Sequence, residues 1–141
     1  MDWKLIFQLS LFGLAMAFAT VFLIPPNIEP MCWLVIFLTS AYVIAKRRPT
    51  GRFVHGLLLG LANSVWITAA HILLFDRYIA GHAQEAAMMK SMPLADAARL
   101  LMAVVGLLIG LVSGVLIGLL ALVAGKLIKQ RHLAPTVKTT A

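Results

Sequence analysis

The side chains of this 141-residue chain that could do chemistry are few, and those inside its apolar stretches are all neutral. Asn63, Ser64, Thr68 and His71 lie close together in one apolar run, and Ser113 stands in a later one. Residues three or four apart share a helix face, so Ser64, Thr68 and His71 make one stripe and Asn63 borders it. A stripe of this kind offers hydrogen bonds without charge. It suits the passage of a small neutral solute, a lipid headgroup seated near His71, or hydrogen bonding between helices, worth about 0.6 kcal/mol per contact.

Other chemistries are poorly supplied. His55 and His71 stand about 24 Å apart along one helix, so they cannot clasp one haem from opposite sides. Ser113 and His71 would sit at different depths, about 15 Å apart by the same rise, beyond the contact that activates a nucleophile. His82 and Glu85 could place two metal ligands on one helix face, but a metal site needs three or four. Cys32 is the single cysteine, so it has no internal disulfide partner, and its setting is that of a small buried hydrophobe. The sequence therefore implies no catalytic residues, no metal and no cofactor.

The elements that carry these residues follow from composition. The chain is 62% hydrophobic and 12% charged, against about 45–50% and about 25% in soluble domains. That excludes an ordinary soluble enzyme, a disordered chain and a secreted disulfide scaffold. A helix needs about 20 apolar residues to cross the ~30 Å hydrocarbon layer. Four runs qualify, at about 5–24, 31–45, 53–75 and 100–125, the second extended by the snorkelling of Lys46, Arg47 and Arg48. None contains Asp, Glu, Lys or Arg, which argues against proton-coupled exchange. Between the last two runs, Ala83 to Lys90 reads as a short interfacial helix, and Ser91 is placed to cap the span that follows, with Pro93 in its first turn.

The net charge of +7 divides unevenly. The N-terminus, the Lys46–Arg52 loop and the tail from Lys126 hold nine basic residues against Asp2 alone, a balance of +8. The Asn27–Pro30 turn and the Asp76–Arg99 segment balance at −1. Basic loops stay cytoplasmic during insertion, so both termini are expected there. The charge is thus a topology signal and not one for nucleic acid.

The strongest pattern is a row of small residues. Gly106, Gly110, Gly114 and Gly118 repeat at a spacing of four, and Gly56, Gly60, Ser64 and Thr68 do the same on the preceding span. In lipid, close backbone approach along such rows supplies the attraction between helices. Setting Phe75 level with Arg99 in an antiparallel pair brings Thr68 opposite Gly106, Ser64 opposite Gly110, Gly60 opposite Gly114 and Gly56 opposite Gly118. The alternative use of the fourth-span row is homodimerisation.

The fold expected is an all-α integral membrane bundle of four transmembrane helices, arranged as two hairpins within residues 1–130. A basic, disordered tail covers 131–141, and the bacterial inner membrane is the expected location. The function expected is non-enzymatic permeation of a small solute or lipid, through a path between subunits. The alternative is an accessory subunit that packs against another membrane protein through its small-residue grooves. The bilayer and a second membrane chain, identical or not, are the partners implied.

Overall fold

The structure is a computed structural model that describes residues 1–91 and 97–133, without the side chains of Met89 and residues 130–133. It is all-helical, and no strand occurs among the described residues. Six helices follow in order: α1 (Trp3–Phe22), α2 (Glu29–Arg47), α3 (Arg52–Leu73), α4 (Phe75–Gly81), α5 (Ala83–Ser91) and α6 (Ala98–Leu133). Four of them, α1, α2, α3 and α6, are long and apolar enough to cross a membrane.

Local chemistry sets the ends. Asp2 caps α1, its Oδ1 accepting the Leu5 amide at 3.0 Å. At the far end the Leu23 and Ile24 amides both turn back to the Ala19 carbonyl, ahead of the Pro25–Pro26 pair that cannot continue the ladder. Pro30 falls in the first turn of α2, where a missing donor costs nothing. Gly51 precedes α3 with φ +67°, a left-handed backbone that glycine adopts without a Cβ penalty.

Helix α3 is the centre of the bundle. It packs along α6 over the most extensive seam, and α1 lies along its other side. The buried residues of α1 recur every three or four positions (Leu5, Leu9, Gly13, Met16, Ala17, Thr20), a single face turned to α3. Helix α2 instead packs against α6, and its buried residues, Ser40, Ala41, Ile44 and Ala45, lie only in its second half. So the first and second spans, consecutive in the chain, touch little, and the first half of α2 has no fully buried residue, although Phe37 packs against the core. The first expected hairpin is therefore not a packed unit. The reason is where the small residues fall: α1 presents Gly13 and Ala17 to α3, while the small buried residues of α2, Ser40, Ala41 and Ala45, lie in its second half, against α6.

Where the spans meet at the end of α2 and start of α3, an apolar cluster joins Leu5, Leu9, Ala41, Ile44, Leu59, Ile117 and Ala121. At the opposite end Val21, Tyr78 and Met102 form a second cluster. Helix α4 was not separable in the sequence from the end of the third span; the chain breaks at Leu74 and restarts as a short helix under α1. Helix α5 occupies the interfacial segment read from composition. Ser91 ends that helix, donating back to the Met88 carbonyl at 2.8 Å, so its hydroxyl is engaged on the preceding turn and not as a cap for α6. Pro93 lies outside the described residues. Helix α6 runs on to Leu133, three residues into the tail expected to lack structure.

Candidate functional site

The five residues of the polar stripe are divided among different surroundings. Ser64 and Thr68 face α6. A Cβ placed on Gly110 would lie 2.5 Å from the Ser64 Cβ, and one on Gly106 would meet the Thr68 side chain, 3.1 Å from its Cβ. Further along the same seam, Gly60 stands against Gly114 and Gly56 against Gly118, backbone on backbone. These are the four pairs that equal depth brings opposite one another. Ser64 spends its hydroxyl on the Leu61 carbonyl at 2.9 Å. Ser113 does likewise, with Ile109 O at 2.7 Å and Gly110 O at 3.2 Å, and it is half-exposed on α6.

Asn63 and His71 face α1 instead. The His71 Nε2 lies 3.1 Å from Thr20 Oγ1. Thr20 also reaches the Met16 carbonyl at 3.0 Å, so with its one proton given there, Oγ1 accepts from His71 Nε2–H. Asn63 is 3% exposed, and neither its Oδ1 nor its Nδ2 has a hydrogen-bond partner among the described residues. It presses against Gly13, where a Cβ would lie 2.7 Å from the Asn63 Cγ. The glycine is what lets a polar amide enter the α1–α3 seam.

Polar contacts recur along that seam from end to end. The Asp2 amide donates to His55 Nε2 at 3.1 Å, which leaves the ring proton on Nδ1, donated to the Gly51 carbonyl at 2.8 Å. Trp66 Nε1 donates to Ser10 Oγ at 3.2 Å. Asn63 is eight residues from both His55 and His71, so it stands about 12 Å from each, near mid-depth. Between α1 and α3 a cleft of about 280 Å³ opens sideways, walled by Trp3, Ile6, Phe7, Leu58, Ala62 and Val65 with Ser10 and Trp66 as its polar members; Asn63 is not in its lining.

Where α3 gives way to α4 the rings of His71, Tyr78 and His82 are stacked, with centroids 3.9 Å and 4.1 Å apart. His82 Nδ1–H donates to the Tyr78 carbonyl at 2.9 Å, and its buried Nε2 has no partner among the described residues. Burial pushes the Tyr78 phenol up to about 12, and the nearby carboxylates of Glu85 and Glu29 add to the shift. His82 and Glu85 gain no third ligand: no group of three or more His, Cys, Asp or Glu fit to hold a metal occurs among the described residues. Cys32 is half-buried on α2.

Ser10, Gly13, Thr20 and Tyr78 were not among the candidate residues read from sequence, and His82 entered only as half of a two-residue metal pair. The signal existed in α1, whose Ser10, Gly13, Ala17 and Thr20 repeat at spacings of three and four on one face. Weakly polar residues in a hydrophobic run read as interruptions until their partner helix is known.

No protein-family model, no curated protein and no solved structure matches the chain.

Proposed function

We propose that the protein is a non-enzymatic membrane protein through which a small neutral, hydrogen-bonding solute passes along the α1–α3 seam. The observation that carries this reading is Asn63, a mid-span amide that is buried with both its polar atoms unpartnered among the described residues. Leaving a buried polar group unpaired costs about 1–3 kcal/mol, so a guest that hydrogen bonds there is favoured. Thr20–His71 and Trp66–Ser10 extend the polar line on either side. The sideways cleft is far larger than the ~30 Å³ share of one water, and a second copy laid against it would close it into a path between subunits.

The orientation that fits the charge partition places both termini in the cytoplasm, in a bacterial inner membrane. The accessory-subunit reading is less favoured, since its motive was the small-residue grooves. Those at Gly106, Gly110, Gly114 and Gly118 are filled by α3 of the same chain.

Purified protein in liposomes, followed by light scattering after osmotic shock, tests the proposal. Glycerol and urea should equilibrate faster than in protein-free vesicles. Potassium should not, because the seam holds no charged side chain to offset the desolvation of an ion. Protein-free rates for every neutral solute would remove the reading.

A further inference from the structure

The end of the bundle where α2 meets α3 carries Lys46, Arg47, Arg48 and Arg52, and Asp2 joins it through its amide's bond to His55. Asp2 is already engaged: its Oδ1 caps α1, and its Oδ2 lies 3.7 Å from Arg48. Arg52 is placed differently. A Cβ built on Gly125 would stand 2.5 Å from the Arg52 Cζ, 2.6 Å from Nη1 and 2.7 Å from Nε. The guanidinium therefore lies directly on the α6 backbone, in a seat that only glycine leaves open. Its Nε is buried and has no acceptor among the described residues.

Lys129 is one turn beyond Gly125 on the same face of α6, and it is exposed. Helical side chains lean toward the N-terminus, so its stem returns over the turn where the Arg52 guanidinium rests. Two cations thus converge where α3 begins and α6 nears its end, and neither forms a salt bridge among the described residues. That arrangement is unfavourable alone and favourable around an anion. The planar guanidinium fork matches the oxygens of a phosphate, and a flexible ammonium adds a point charge beside it.

We propose that Arg52 and Lys129, seated at Gly125, bind a phosphate group, and that its source is the headgroup of an anionic phospholipid in the adjoining leaflet. The position favours the lipid over free phosphate. The seat lies one turn past the buried Ala121, where the apolar run of α6 gives way to basic residues, and anionic lipids concentrate near juxtamembrane cations.

Native mass spectrometry of the full-length protein in detergent, with equal phosphatidylglycerol and phosphatidylcholine, reads this directly. A parallel titration with inorganic phosphate separates the two sources. Phosphatidylglycerol should bind in preference, and Arg52→Gln or Lys129→Gln should each weaken it by about tenfold, the scale of one charge-assisted hydrogen bond. Lys126→Gln removes the same charge at a position about 100° around the helix from Gly125 and about 60° from Lys129, with its stem leaning back over the turn before the seat, and should change affinity less than twofold. Gly125→Val changes no charge but fills the seat, and it should weaken binding as Arg52→Gln does. Far-ultraviolet circular dichroism confirms that each variant compared is folded, and the two glutamine variants carry the test if Gly125→Val is not. Equal losses from Lys126→Gln and Lys129→Gln would show diffuse attraction and overturn the site. Binding of inorganic phosphate without phosphatidylglycerol would overturn the lipid source.

Discussion

Tyr78 shows how burial and neighbouring charge act together on one residue. Its ring is held between His71 and His82, and Glu85 and Glu29 face it, so the phenolate is disfavoured both by desolvation and by like charge. A raised folded-state value means that the contribution to stability is complete below the ordinary phenol range. It is lost as pH climbs from about 10 toward about 12, because the unfolded chain releases its proton first. In a Tyr42→Phe background, absorbance should follow a single phenol titrating near 12, and Tyr78→Phe should abolish that transition. A midpoint near 10 would contradict the buried, acid-flanked placement. At this scale the sequence was only partly readable. His71, Asn63 and Thr68 stood out because polar residues in an apolar run are conspicuous, whereas Thr20 did not, since a threonine satisfied by its own helix looks inert. Tyr78 and His82 acquire their meaning from a stack that forms only after the chain breaks at Leu74.

At the scale of elements, the α3–α6 seam sorts its glycines by what they touch. At Gly60 the obstacle to a side chain is the Gly114 backbone, and at Gly114 it is the Leu57 backbone, with its carbonyl oxygen 2.6 Å from an added Cβ. At Gly106 the obstacle is the Thr68 side chain, which can rotate away, and at Gly81 nothing lies within 4 Å. Overpacking a close contact costs about 1–3 kcal/mol. Thermal melts should therefore rank Gly60→Ala and Gly114→Ala as most destabilising and Gly106→Ala as milder. Gly81→Ala should be neutral or slightly stabilising through helix propensity. Equal effects at all four positions would contradict the close backbone approach. The four spans and the pairing of the two rows were legible because length, hydropathy and a spacing of four are local properties. The partners of α1 and α2 were not. Chain order suggested that they pair with each other, and only the three-dimensional fit of Gly13 to Asn63 and of Ala41 and Ala45 to the α6 side of the bundle places them apart.

For the whole molecule, the arrangement of the helices separates two kinds of seam. The α3–α6 seam is closed by glycine and backbone contact, and the Ser64 hydroxyl is spent on its own helix. The α1–α3 seam joins parallel helices through side-chain hydrogen bonds at each end and an unpartnered amide between them. The second holds the buried amide without a partner among the described residues, and an open cleft lies along it. Asn63 decides between passage and mere cohesion. As interhelical glue, Asn63→Leu would remove a hydrogen-bonding group and lower stability. As part of a path, the same change would remove a buried unpaired amide, leave stability unchanged or higher, and block the solute. Glycerol and urea flux through liposomes carrying equal amounts of the native protein and of Asn63→Leu is therefore the most direct measurement. Passage along the seam predicts a native flux that falls to the protein-free level in the variant while its thermal midpoint is held. A variant that conducts as fast as the native protein would contradict it.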